Sequence, residues 1–257
     1  MSLDRSFFVP LESPLHRLNP LTKLTFAFAM IIPAFLSVPR LAPALVIPIF
    51  IVVFAGKVQK QYLNLSLKLI LPAILFMFVM QSVFLPIGET VIFQLGRFDV
   101  TQEAMQTAFL TISRIFVMVS SFAILLLTTH PGELMSDLTR RGLPPQFAYV
   151  INSTLQILPQ MQAKAQTILS AQRSRGLDTE STFLKRVGAV VPLVGPLVFG
   201  SLVEVEERAI AIEARGFTST RPKTFLRDVP DTRTDKIIRW LLLVFVILSL
   251  GGRIWLS

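Results

Sequence analysis

Of 257 residues, 52% are hydrophobic and only 16% charged, against roughly 25% charged in ordinary soluble domains, so the chain carries more apolar surface than one globular core can hide. The mean hydropathy of +0.62 agrees. The formal charge of +9 comes from Lys and Arg placed between apolar runs, where they anchor loops on the cytoplasmic side of a bilayer, which sets aside nucleic acid as a partner; with no cysteine, a disulfide framework, a thiolate nucleophile and a Cys-based metal site are excluded.

Asp4, Glu12, Pro10 and Pro14 interrupt the N-terminal segment. It therefore lacks the apolar core of a signal peptide, and the N-terminus is expected in the cytoplasm. Apolar runs follow at Leu21–Val38 and Leu41–Ala55, joined through Pro39 and Arg40 as a helical hairpin. Pro33, Pro43 and Pro48 lie inside these runs, where neighbouring helices allow a kink rather than a break. Further runs cover Leu67–Ile87, Thr107–Thr128 and Ile237–Leu256, each near the roughly 18–20 residues that cross a bilayer.

Charge orients the runs. Arg5, Arg17 and Lys23 precede the first, and Lys57, Lys60 and Lys68 follow the second, so both places read as cytoplasmic. The loop 88–106 carries Glu89, Asp99 and Glu103 against Arg97, which suits the outside. From Arg140 and Arg141 onward the chain is again rich in Arg and Lys, and belongs inside. Val187–Val203 is apolar enough for a sixth span, yet Lys185 and Arg186 precede it and Arg208, Arg215, Arg221 and Lys223 follow it. A single crossing would strand one cluster outside, so this segment reads as the apolar half of a long interfacial or protein-covered helix, as Pro192, Gly195 and Pro196 also suggest. The expected fold is an all-α integral membrane protein with about five transmembrane helices: 1–128 with the first four, 129–236 as a cytoplasmic helical region, and 237–257 with the last.

Two amphipathic helices are expected in the cytoplasmic region. Between Pro144 and Gly176, Phe147, Val150, Ile151, Leu155, Leu158, Met161, Ala165, Ile168 and Leu169 keep the three-and-four spacing of one helical face, opposite Asn152, Gln156, Gln160, Lys164 and Gln166. Pro159 is expected to bend this helix into two pieces. A second stripe runs through Val198, Leu202, Val205, Ala209 and Ile212, opposite Glu204, Glu207 and Arg208, with Glu204 and Arg208 an i,i+4 pair. Each helix ends in small residue, Arg, Gly, apolar: Ser174-Arg175-Gly176-Leu177 and Ala214-Arg215-Gly216-Phe217. One such ending is an ordinary helix cap, with Arg at the negative end of the dipole and Gly supplying the left-handed residue. Two copies, 40 residues apart (215 − 175), read as a repeated device, since a guanidinium at a helix tip is a rigid five-donor fork suited to a partner's carboxylate.

The pair Ser174-Arg175-Gly176 and Ala214-Arg215-Gly216 resembles the paired Ala-Arg-Gly signatures of the transmembrane, or T, component of energy-coupling-factor transporters, the group that includes CbiQ and BioN. Ser13-Pro14-Leu15-His16-Arg17-Leu18-Asn19-Pro20-Leu21-Thr22-Lys23 is similar to that family's Ser-x-Leu-His-Arg-Leu-Asp-Pro-Arg-Thr-Lys stretch, and Leu127-Thr128-Thr129-His130-Pro131 is similar too. Ser174 stands where the family has Ala, and Asn19 and Leu21 where it has Asp and Arg. The resemblance implies an L-shaped subunit of the bacterial cytoplasmic (inner) membrane. Its coupling helices would lie in grooves of two ABC-type ATPase subunits and hold a substrate-binding membrane S component, so that ATP-driven motion topples the S component and releases a vitamin or metal ion inside. The six motif residues would be the ATPase-coupling site.

Other candidate chemistry is sparse. His16 and His130, the two histidines, are far apart in sequence and read as interfacial, so no metal, cofactor or catalytic residue is assigned. Gln81, Ser120 and Ser121 read as helix–helix contacts. Arg114 lies inside the fourth run, where either snorkelling to the outer surface or an internal pair would accommodate it. No Gly-rich loop with Lys for phosphates is present, so ATP hydrolysis is expected of other chains and this subunit is not an enzyme. Two alternatives of other classes are an intramembrane enzyme, which calls for paired Asp, a His-rich motif or a Ser–His arrangement, and a membrane scaffold that binds acidic partners through the basic region.

Overall fold

The computed structural model describes residues 13–36, 41–84, 88, 90–95, 98–176, 191–219, 224 and 230–256. It divides into two compact units, one made from 4–142 and 229–257 and the other from 143–228.

In the larger unit, helix α1 (Pro20–Leu36) starts where Asn19 Oδ1 accepts from Leu21 N–H at 2.9 Å, an N-cap followed by proline at the first helical position. Its small residues Ala27, Ala29 and Ala34 are buried, which lets neighbouring helices approach closely. The second apolar run forms α2 (Leu41–Ala44) and α3 (Val46–Ala55), parted by a turn at Leu45 between Pro43 and Pro48. Gly56 ends α3, and a Cβ there would lie 2.8 Å from the Leu15 side chain, so the N-terminal motif packs on this turn.

The third run is longer than its apolar part. Helix α4 (Gln59–Leu65), a π-helical turn (Ser66–Ile70) and α5 (Leu71–Phe84) follow one another without a gap. Gln59, Lys60, Gln61 and Asn64 are helical although they belong to no apolar run. The loop 88–106 holds an antiparallel β-hairpin, β1 (Val91–Leu95) and β2 (Phe98–Thr101), with Val91 opposite Thr101 and Leu95 opposite Phe98. Helix α6 (Gln102–Thr128) follows directly, its first turn capped by Thr101 Oγ1, which accepts from Ala104 N–H at 3.3 Å. Then come α7 (Pro131–Arg140) and, after the second unit, α10 (Arg233–Leu256).

Helix α6 is the hub: α1, the α2–α3 pair and α5 pack on it, while α10 and α7 pack on α1. The core joins Met30, Ala34, Leu45, Ile49, Val53, Tyr62, Val117, Ala123, Ile124 and Leu127. Within it the Tyr62 hydroxyl donates to Ser120 Oγ at 2.7 Å, the interhelical role expected of Ser120. Ser121 Oγ, Gln81 Oε1 and Arg114 Nε are buried without a hydrogen-bond partner among the described residues. Gln59–Phe84 and Gln102–Thr128 are long and apolar enough to cross a membrane, and Pro20–Leu36 and Leu41–Ala55 are shorter apolar helices.

The second unit is a pair of helices, α8 (Pro145–Ser174) and α9 (Val191–Ala214). Pro159 does not divide α8, which runs on through it for 30 residues. Pro192 falls in the first turn of α9, where proline is tolerated, and Pro196 lies inside the helix. Residues 187–190 of the expected apolar segment, and Pro39 and Arg40 of the expected hairpin, lie outside the described residues.

Candidate functional site

Both expected signatures stand at helix ends. In α9, Gly216 takes φ +70°, its N–H reaches Glu213 O at 2.9 Å, and Phe217 N–H reaches Ile212 O at 3.1 Å. These are the two bonds of a Schellman cap with glycine at the left-handed position. In α8, Gly176 takes φ +92° and its N–H donates to Arg173 O at 3.0 Å. Arg175 and Arg215 each occupy the residue before the glycine, at the negative end of the helix dipole, and both are exposed. Ser174 Oγ donates back to Ser170 O at 3.2 Å, so serine in place of alanine adds a local bond and no bulk beyond the helix.

The two tips are not brought together. Phe217, two residues past Arg215, packs against Tyr149 near the start of α8, the rings tilted by 53° with their centroids 5.2 Å apart. Arg175 lies 26 residues further along (175 − 149), which at 1.5 Å per residue separates the tips by roughly 39 Å along the helix axis. Between these points Ser201 Oγ contacts Met161 Sδ at 3.4 Å and Lys164 pairs with Glu204. Glu204, expected to face Arg208, thus holds a charge on the neighbouring helix. Two helices cannot cover each other's whole apolar stripe: Phe147, Val150, Leu158, Val198, Phe199, Leu202 and Val205 are all exposed.

A second constellation lies in the larger unit, and sequence reasoning missed it. Asn19 is 1% exposed, Asp137 3% and Asp235 1%. Asn19 N–H donates to Asp235 Oδ1 at 3.0 Å, and its Nδ2 donates to Asp137 Oδ1 at 3.4 Å and to Pro230 O at 3.4 Å. Asp235 Oδ2 also accepts from Thr232 N–H at 3.1 Å. Arg141 Nε donates to Asp137 Oδ2 at 3.1 Å and its Nη2 to Asp231 Oδ2 at 3.0 Å, while Arg239 Nη2 holds both Asp231 oxygens at 2.7 and 2.9 Å. Burial alone would raise the Asp231 carboxyl, but hydrogen bonds and charge from Arg141 and Arg239 outweigh it and hold the group below the usual aspartate range. Asp235 is likewise lowered, because bonds from Thr232 and Asn19 outweigh its desolvation.

Both histidines do structural work. His16 Nδ1 lies 2.7 Å from Ser13 Oγ, and His130 Nδ1 accepts from Gly132 N–H at 3.1 Å as the N-cap of α7. Lys23 Nζ donates to Thr128 O at 2.7 Å, linking the start of α1 to the end of α6. The Ser13–Lys23 motif is therefore a set of helix caps and ties. No cluster of three His, Asp or Glu suited to a metal ion occurs among the described residues.

Two helices long and apolar enough to cross a bilayer, together with an amphipathic pair ending in matched Arg-Gly caps, are features of a helical membrane protein. The cobalt transport protein family, CbiQ, matches residues 12–225. The chain is 31% identical to the energy-coupling factor transporter transmembrane protein EcfT of Exiguobacterium sibiricum over 238 residues, 88% of this chain and 90% of that one. Identity to the protein of the same name is 31% over 231 residues in Heliobacterium modesticaldum, 86% of each chain. In Leuconostoc gelidum it is 30% over 260 residues, 97% of this chain and 96% of that one. The chain belongs to this family, the transmembrane (T) components of energy-coupling-factor transporters.

Proposed function

We propose that this chain is the coupling subunit of an energy-coupling-factor importer, passing the ATP-driven motion of two ATPase subunits to a substrate-binding S component that carries a vitamin or transition-metal ion into the cell. One observation supports the reading: two helix tips, each presenting an exposed Arg before a left-handed Gly, stand at opposite ends of one helix pair. A fork at each end suits two copies of one acidic partner, and a separation of roughly 39 Å gives each copy its own footprint. Ser174, Arg175, Gly176, Ala214, Arg215 and Gly216 form the two contact points.

The exposed apolar stripe on the same helices supplies a surface for the S component and the bilayer, since patches of this kind mark protein or membrane contact. Five spans, an inside N-terminus and a cytoplasmic 129–236 complete the reading and follow from the Lys and Arg distribution. ATP hydrolysis is assigned to the partners because the chain has no Gly-rich loop with Lys to cradle phosphates. Isolation of the tagged chain from its native membrane tests the proposal: two ATPase subunits and a small membrane protein are expected to come with it. A chain that purifies with neither, or that itself turns over ATP, contradicts it.

A further inference from the structure

The described chain leaves the membrane-helix unit after Gly142 and is back in it by Pro230. One residue before the exit stands Arg141, and one residue after the return stands Asp231. They are 90 residues apart in sequence, yet Arg141 Nη2 donates to Asp231 Oδ2 at 3.0 Å. Both ends of the excursion are thus joined side chain to side chain.

Each partner is anchored a second time. Arg141 Nε is held at 3.1 Å by Asp137 one turn back on α7, and Asp137, nearly fully buried, also receives the Asn19 amide from the start of α1. Asp231 is gripped by Arg239 from α10, one guanidinium nitrogen within 2.9 Å of both carboxylate oxygens. The charges alternate along Asp137, Arg141, Asp231 and Arg239. A lone exposed ion pair holds little, but here each central charge has two partners on different elements, which fixes the planar groups in direction as well as distance. Arg141 and Asp231 are about a third and a quarter exposed, so the clasp lies at the edge of the unit, while its anchors lie inside.

We propose that Arg141 and Asp231 are positioning residues that clasp the outgoing and returning chain onto α1, α7 and α10, so that motion of the coupling helices reaches the membrane helices as one displacement. The role rests on the coupling function proposed above. It assigns the coupling path to a defined pair rather than to loose connectors.

The absence of cysteine permits a direct test with spin labels on Arg140→Cys and Arg233→Cys, exposed positions beside each clasp residue and both within the larger unit, in the intact complex purified from its native membrane. The parental clasp predicts one narrow distance distribution, with the same centre in nucleotide-free and ATP-analogue-bound samples. Arg141→Ala is expected to widen it at least twofold and to make its centre move with nucleotide, while the ATPases still co-purify. Arg141→Lys, which keeps the charge and loses the fork, should fall between. Asp231→Asn keeps the shape and serves if the alanine variant does not insert; it too should widen the distribution, and combined with Arg141→Ala it should add little. Unchanged width and centre in Arg141→Ala, or in Asp231→Asn where only that variant inserts, overturns the clasp. Retention of ATPases by Arg175→Ala/Arg215→Ala would contradict the coupling reading separately, because that assay does not involve the clasp.

Discussion

The side-chain amide of Asn19 donates to Asp137 Oδ1 at 3.4 Å across 118 residues of sequence, and its backbone N–H donates to Asp235 Oδ1 at 3.0 Å. Asn19 thus meets two buried aspartates with neutral donors, where an aspartate would add a third carboxylate. Asn19→Asp is accordingly expected to destabilise the detergent-solubilised protein by about 3 kcal/mol at neutral pH, the scale of an uncompensated buried charge. Thermal unfolding should show the loss, and Asp137→Asn in the same chain should recover much of it. A variant as stable as the parent would mean that the site takes up a counter-cation or a proton at no cost.

Acid should loosen the same region. Asp231 and Asp235 are both held below the ordinary aspartate value of 3.8. A carboxyl with a depressed folded value contributes stability that is present above its unfolded value and is lost as pH falls through the folded one. Melting temperature is therefore predicted to be level near neutrality and to drop below about pH 4. Asp231→Asn should start lower and flatten that drop; an equally steep acid limb in the variant would refute the assignment.

The glycines of the two tips make a backbone prediction. Gly176 and Gly216 sit at φ +92° and +70°, and a Cβ on Gly176 would meet nothing within 4 Å. The penalty for alanine there is conformational, about 1–2 kcal/mol for the left-handed region. Gly216→Ala and Gly176→Ala should each lower stability by about that amount, with asparagine costing less because it tolerates this conformation. Equal melting temperatures for the Ala, Asn and parental proteins would show that the caps relax without strain.

Orientation can be read with single cysteines. Ser219, just past the second tip, is expected on the cytoplasmic side with the rest of 129–236, as are positions 188 and 221 outside the described residues. A cysteine at 219 should resist an impermeant thiol reagent in intact cells and react after permeabilisation. Labelling from outside intact cells would invert the proposed topology.

Much of this was legible from residue order alone, because apolar runs and helix caps are local signals. The long runs mark α1, α5, α6 and α10, and the Arg-Gly endings fall at the last turns of α8 and α9. The hairpin had a sequence signal too: Val-Ile-Phe-Gln-Leu and Phe-Asp-Val-Thr, alternating and apolar-rich, lie two positions apart on either side of a glycine-containing pair, a short-hairpin spacing that the charges of 88–106 overshadow. Pro159 misled, since a proline in a long amphipathic helix removes one bond without removing the packing that holds the remaining turns. The polar network was not legible. Asn19, Asp137 and Asp235 meet only because α1 packs against α7 and α10, and no spacing in the chain encodes that meeting.

In the proposed coupling function, Arg175 and Arg215 are the points at which ATPase movement enters this subunit. The most direct measurement is ATPase co-purification with Arg175→Ala, Arg215→Ala and the double variant, at matched membrane expression. A charge-assisted hydrogen bond contributes about 1.5–3 kcal/mol, so each single variant should weaken ATPase association roughly tenfold to a hundredfold and the double variant should nearly abolish it. Arg→Lys should restore it only in part, because the ammonium lacks the planar fork. Insertion should be unaffected, as both side chains are exposed at helix ends. If the double variant inserts and retains its ATPases at the parental ratio, the two arginines are helix caps alone and the proposed coupling site is wrong.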